Sequence, residues 1–233
     1  MVRKRLIFVS IAVLLTVGAI AALALQERIP DEWQPWAPLR LDDPPNFLTR
    51  YKLSRASAND ALCRATLEQT SWVYAPIADE TTAPGCGYRN AVRIDRMQAT
   101  VSEPFAASCR EALSLALWEL HVLQPAALRH FSAPVTKVEH FGSYSCRGVY
   151  GRPNARKSHH ATADALDVAG FVIGDERRVR ILSAWPSEGP EGRFVREVHD
   201  GACDFFDTVL GPEYNAAHHD HLHLDRGAFR LCR

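Results

Sequence analysis

Hydrophobic and polar positions along this chain follow three successive regimes. Residues 6–25 form an uncharged apolar run directly behind Arg3, Lys4 and Arg5. Residues 26–54 carry Pro30, Pro35, Pro38, Pro44 and Pro45 together with Trp33 and Trp36. From residue 55 onward the apolar positions repeat at helical or strand spacing.

Within that third part, residues 58–69 read as a short helix. Ser102 with Pro104 is a helix-start signal. Phe105, Ala106, Cys109, Ala112, Leu113, Ala116, Leu117 and Leu120 then repeat at helical spacing. Residues 125–131 predict a second short helix. Alternation predicts strands over 135–141, 166–173 and 179–184. Residues 193–210 read as a helix bearing Phe194, Val198, Phe205, Phe206 and Val209, and residues 221–224 as a short central strand. Helices come mainly first and strands later. That order predicts an α+β fold, a small antiparallel sheet with helices packed on it.

The apolar run of 20 residues would span roughly 30 Å as a helix, the thickness of a bilayer core. Its basic flank keeps the N-terminus cytoplasmic and places everything after Gln26 outside. A cleaved signal peptide, with Ala22-Leu23-Ala24 as its small-residue site, is the competing reading. The run exceeds the usual signal-peptide core of about 7–15 residues, which favours an uncleaved anchor. Proline at the density of residues 26–54 favours extended backbone, hence a tether, part of it packed on the domain. The expected division is an anchor or signal over 1–25, a tether over 26–54 and a domain over 55–233.

Charge and cysteines refine this picture. Basic and acidic residues are equal at 27 each, so no global basic excess points to nucleic acid. Without Arg3, Lys4 and Arg5 the exported part has 24 basic against 27 acidic residues, and it is read as a monomer. The six cysteines form no CxxC pair. An even, scattered set behind an export signal reads as three disulfides. Many pairings are open; joining neighbours in order gives Cys63–Cys86, Cys109–Cys146 and Cys203–Cys232.

Six of the ten histidines lie in two windows, residues 158–167 and 218–225. Imidazole is a common zinc ligand, and a catalytic zinc needs about three protein ligands plus an open position. His160, Asp167 and a histidine of the second window can supply them. Two residues apart on a strand, His221 and His223 point the same way. His160 and Asp167 require a loop that folds back into a strand.

The motif Ser158-x-His160-x-x-Ala163-x-Ala165-x-Asp167 resembles the Ser-x-His-x-x-Gly-x-Ala-x-Asp signature of the zinc D-Ala-D-Ala peptidases. Asp220, three places before His223, resembles its Asp/Glu-x-x-His end, and His221-x-His223 the His-x-His of several members. More specifically, the chain resembles the bacterial extensin-like C-terminal domain family. The matching stretches are Gly142-Ser143-Tyr144-Ser145-Cys146-Arg147, residues 158–171 and 202–206, Leu210-Gly211-Pro212-x-Tyr214-Asn215, residues 218–225 and the terminal Cys232-Arg233.

The resemblance implies a zinc ion held by His160, Asp167 and His223. It implies Asp220 as the general base and Arg147 as the group that steadies a substrate carbonyl or carboxylate. His221, the companion of His223, would stabilise the tetrahedral intermediate, and Ser158 would shape the metal loop. Ala163 replaces the usual glycine and fits poorly if that position needs positive φ. Asp164 is a rival carboxylate, read as an outward-facing residue. The implied function is a membrane-anchored or secreted zinc peptidase cleaving amide bonds in peptidoglycan stem peptides. It would sit at the bacterial inner membrane with its domain in the periplasm, or free there after signal cleavage. The alternative is a non-catalytic envelope protein with a structural or vestigial metal site.

Overall fold

The computed structural model describes residue 8 and residues 10–18, 29–152 and 155–233. Residues 10–18 are helical; the rest of the 6–25 run, apart from residue 8, lies outside the described residues, as does its cleavage site. Among the described residues no helix is long and apolar enough to cross a membrane.

The proline-rich segment packs on the domain over part of its length. Leu39 and Leu41 are buried in the main core. Gln69 fixes them by accepting the Leu41 N–H and donating to the Leu39 carbonyl. Two helices follow, α1 (Thr49–Ser57) and α2 (Asp60–Leu67). The Asn59 side chain accepts the Leu62 N–H and so caps the start of α2.

The sheet is built from β1 (Val73–Ile77), β4 (Ala91–Arg96), β5 (Thr100–Ser108), β6 (Val135–Gly142), β7 (Ala165–Ile173), β8 (Arg177–Arg180), β9 (Thr208–Leu210), β10 (Leu222–Asp225) and β11 (Leu231–Cys232). Strands β2 (Glu80–Ala83) and β3 (Cys86–Tyr88) form a separate hairpin. The helices after β5 are α3 (Cys109–Trp118) and α4 (Gln124–Phe131), joined by a π-turn over Glu119–Leu123. Beyond β8 come α5 (Ile181–Ala184) and α6 (Pro190–Ala202).

The sheet is larger than the sequence pattern suggests, and it is mixed. Nine strands run in the order β1-β4-β5-β6-β7-β10-β9-β11, with β8 also paired to β7. β5 pairs parallel with β6, and β9 with β11. The α3–α4 segment is the crossover that a parallel β5–β6 pair requires.

Three element boundaries also differ from expectation. Residues 102–108 are strand, not helix, because Ser108 rather than Ser102 is the N-cap, accepting the Glu111 N–H. The expected strand over 179–184 ends at Arg180 and gives way to α5. The expected helix over 193–210 runs from Pro190 to Ala202, and Thr208–Leu210 join the sheet.

The disulfides are Cys63–Cys109, Cys86–Cys146 and Cys203–Cys232. The third matches the expected pairing; Cys63–Cys86 and Cys109–Cys146 do not form. Cys63 lies on the inner side of α2 and faces the first residue of α3, both fully buried. Cys86 on the β2–β3 hairpin instead ties down the segment that carries Arg147.

Ser108 and Glu111 have the spacing of a capping box, in which the glutamate returns to the N-cap N–H. Here the Ser108 N–H donates to the Ala163 carbonyl at 2.8 Å instead. Glu111 is wholly buried and neither carboxyl oxygen has a hydrogen-bond partner. Burial above all, then the negative charges of Asp164 and Asp225, raise its pKa well above the ordinary value, against the opposing Arg226 and Arg110.

A carboxyl whose pKa is raised by folding stabilises fully below its unfolded value. Stability is lost as the pH rises above that value, until the folded pKa is reached. Each unit of elevation is worth about 1.4 kcal/mol. Glu111→Gln, which mimics the protonated form, should therefore raise the melting temperature relative to wild type at pH 8 and barely change it at pH 4. Thermal melts of both proteins at the two pH values check this; equal differences at both would show that Glu111 does not titrate on unfolding.

Candidate metal centre

Strand alternation positions the centre. Along β10, Leu222 and Leu224 point into the core, while His223 and Asp225 take the opposite face. On β7, Leu166 and Val168 point into the same core and Asp167 away from it. Antiparallel register sets Leu222 opposite Val168 and Leu224 opposite Leu166, which brings His223 directly opposite Asp167. Burial of four apolar side chains thus fixes which way the two polar ones face.

His160 arrives from the 3-10 turn His159–Thr162. Ser158 caps that turn by accepting the His160 N–H. The turn ends on Ala163 at φ 54°, the left-handed conformation that the glycine of the signature would favour. Its N–H donates to the His160 carbonyl and its own carbonyl accepts from Ser108, so the surroundings hold an alanine in this conformation.

Three groups converge. His160 Nε2 lies 3.2 Å from His223 Nδ1 and 3.2 Å from Asp167 Oδ2. Asp167 Oδ1 lies 2.8 Å from His223 Nδ1. All three side chains are buried. A tetrahedral zinc with bonds of about 2.0–2.2 Å sets neighbouring ligand atoms about 3.3–3.6 Å apart, close to the two 3.2 Å separations, while the 2.8 Å pair is at hydrogen-bond distance and would open on binding.

The outer partners fix what each ring offers. His160 Nδ1 is 2.6 Å from the Ser143 carbonyl, which can only accept, so this nitrogen carries the proton. His223 Nε2 is 2.9 Å from the Asp225 carboxylate and donates to it. In their neutral forms both rings therefore direct a lone pair at the other and at a carboxylate. Such a set is self-repelling until a cation or a proton occupies it, and backing carboxylates and carbonyls of this kind accompany histidine ligands. The donor set fits zinc.

A proton can answer that repulsion in place of a metal cation, and it would sit on His223 Nδ1, facing Asp167. Burial alone would depress His223, but its hydrogen bonds to Asp167 and Asp225 outweigh that effect and push the ring up to about 9. Burial likewise opposes ionisation of Asp167, yet the two histidines hold its carboxyl far below the usual range.

His221 stands beside this set, with Nε2 3.5 Å from Asp167 Oδ1 and Nδ1 donating to Asp220 at 2.9 Å. Asp220 lies in the turn before β10. Among the described residues its recorded partners are His221 and, at 3.9 Å, His219, rather than the three converging groups. Arg147 reaches to 3.9 Å from Asp167 Oδ2 and is nearly half exposed. Asp164 is not outward-facing. It is buried, accepts from Ser108 and Thr162, and receives two hydrogen bonds from Arg110. It braces the His159–Thr162 turn from behind.

Sequence reasoning left Asp225 and His218 without a role. Asp225 is the third member of the alternating His221, His223, Asp225 face, a signal present in the sequence. His218 packs its ring on both His221 and His223. Burial, then the neighbouring His223 and His221, push it down to about 4. A cleft of about 360 Å³ opens over the centre, lined also by Tyr150, Arg156 and Tyr214.

A second group, His199, Cys203 and Cys232, also lies within ligand distance. Its two sulfurs are bonded to each other, which removes them as ligands.

The profile of the family described as extensin-like protein C-terminus matches residues 61–233. Comparison with curated proteins and with solved structures finds no match to this chain.

Proposed function

We propose that this chain, which belongs to the extensin-like protein C-terminus family, is a zinc-dependent hydrolase of amide bonds in peptidoglycan stem peptides. The observation that carries the reading is the convergence of two buried histidine nitrogens and the Asp167 carboxylate beside a further, carboxylate-backed histidine. A purely structural metal site has no use for that second pair or for an arginine at its mouth. The resemblance to the zinc D-Ala-D-Ala peptidases supplies the substrate class. The apolar run and the disulfides support a periplasmic domain on an inner-membrane anchor.

His160, Asp167 and His223 would hold the metal. Bound there, zinc would supply Lewis acidity, polarising a carbonyl and lowering the pKa of water to about 7. The chain's own groups move the protons. His221 Nε2 takes the proton of the attacking water, and the Asp220 carboxylate at Nδ1 orients the ring and stabilises its charged form. The same Nε2 returns the proton to the leaving amine. Arg147 faces the negative charge that develops on the carbonyl oxygen, or anchors a substrate carboxylate.

Digestion of purified peptidoglycan by the full-length protein, with mass analysis of the products, tests this. Released peptide fragments that disappear on chelation and return with zinc are the expected result. Intact peptidoglycan with zinc-loaded protein would instead favour a non-catalytic envelope protein.

A further inference from the structure

The parallel pairing of β5 with β6 stops almost where it starts. It covers Thr100 opposite Lys137 and Val101 opposite Val138, and no further. Beyond that point β5 is paired to β4 and β6 to β7, each on its outer side. The two strands run in the same direction and part, leaving a fork between two strand edges. At its narrow end His140 spans the gap, donating its N–H to Ser102 Oγ and bonding the Glu103 carbonyl through Nε2.

The metal loop closes the wide end of the fork. It is bonded to both prongs. The Ala163 carbonyl accepts the Ser108 N–H at the end of β5, and His160 Nδ1 donates to the Ser143 carbonyl just after β6. Phe141, largely exposed, stands between the fork and the centre with its ring 5.7 Å from that of His221. The space between the prongs is a cleft of about 540 Å³ that Ser143 and His140 line. Ser143 is 2% exposed, and its hydroxyl has no hydrogen-bond partner; His140 Nδ1 has none either. Buried polar groups of a native protein are nearly always paired, so two orphans in one cleft are a feature that needs a reason.

We propose that this fork is the subsite that binds the peptide arm of the substrate as an added strand, delivering it along the metal loop to the centre. Strand edges bind extended peptide by main-chain hydrogen bonds, and side chains along the edge supply selectivity. Ser143 Oγ and His140 Nδ1 are the side-chain contacts. The stretch of β5 left between the His140 and Ala163 contacts, Pro104 to Ala107, covers about 13 Å as extended strand, enough to pair a few residues of a stem peptide. The proposal rests on the reading of the centre as an amide hydrolase, and it names the form in which the substrate binds: extended peptide rather than glycan.

Ser143→Ala separates a binding role from a structural one. It deletes an unsatisfied buried hydroxyl, so the free protein should become more stable, while peptide binding should weaken about 3–10-fold, the value of one hydrogen bond. Ala106→Trp fills the cleft from β5 and should weaken binding at least about tenfold. Binding of fluorescently labelled stem peptides, released from purified peptidoglycan, to the full-length protein is read by anisotropy, with melting temperature and zinc content beside it. Unchanged affinity in both folded variants overturns the fork as the subsite, and if the wild type still cleaves peptidoglycan the hydrolase reading stands without it. Weakened affinity in both supports the fork, and with no cleavage by the wild type it is the hydrolase reading that falls. A lower melting temperature with unchanged affinity in Ser143→Ala makes that serine structural and overturns its role.

Discussion

His221→Ala should retain zinc and fold and lose amide cleavage by about 10²–10⁴-fold, the usual worth of a general acid–base. His221 Nε2 lies beside the converging groups, 3.5 Å from Asp167 Oδ1. Leu222 and Leu224 anchor β10 in the core independently of His221, so its removal should not disturb the strand. Asp220 acts through the imidazole, at 2.9 Å from Nδ1. Asp220→Asn should therefore cost less, about 10–100-fold, the typical loss when such an outer partner is removed. Single-turnover cleavage rates on zinc-loaded proteins check both. A greater loss from Asp220→Asn than from His221→Ala would make Asp220 the base in its own right. Wild-type rates in both would remove the pair from the mechanism.

The centre was more legible in the sequence than the fold around it, for a physical reason. His221, His223 and Asp225 alternate with Leu222 and Leu224, and burial of the leucines settles which face the polar residues share. A period of two carries across a strand pair whatever the rest of the sheet does. The strand count had no such local marker. Val92 and Ile94 do alternate with Arg93 and Asp95, but Pro76 and Pro104 break the pattern of their strands. Ser102 and Pro104 imitate a helix start, and the apolar residues from Phe105 onward fit helical spacing as well as strand spacing. Reading residues 102–108 as helix hid β5, and with it the parallel crossover that makes the sheet mixed.

Cysteine pairing failed for a related reason. Adjacency along the chain predicts a bridge only where the intervening segment turns back on itself. That holds for Cys203 and Cys232, which β9 and β11 bring together through their parallel pairing. Cys63 and Cys109 meet because α2 packs on α3, a contact between helices separated by five strands. The membrane reading of residues 6–25 concerns a stretch half of which lies outside the described residues.

Everything proposed for this chain depends on a cation among His160, Asp167 and His223. Each ligand lies on a different segment, so the set cannot be replaced by a neighbour in sequence. His223 carries most weight, because Asp225 fixes its tautomer and Asp167 faces it across the strand pair. Losing one of three protein ligands should reduce retained zinc from about one ion per chain to near none after dialysis. His219→Ala, at an exposed ring that bonds the Ala216 carbonyl and is not one of the three converging groups, is the control for general loss of histidine. The decisive measurement is the zinc content, by elemental analysis, of dialysed wild type, His223→Ala and His219→Ala. About one zinc in the wild type and the control, with near none in His223→Ala, is the predicted result; equal zinc in all three, or none in the wild type after zinc loading, would contradict the account.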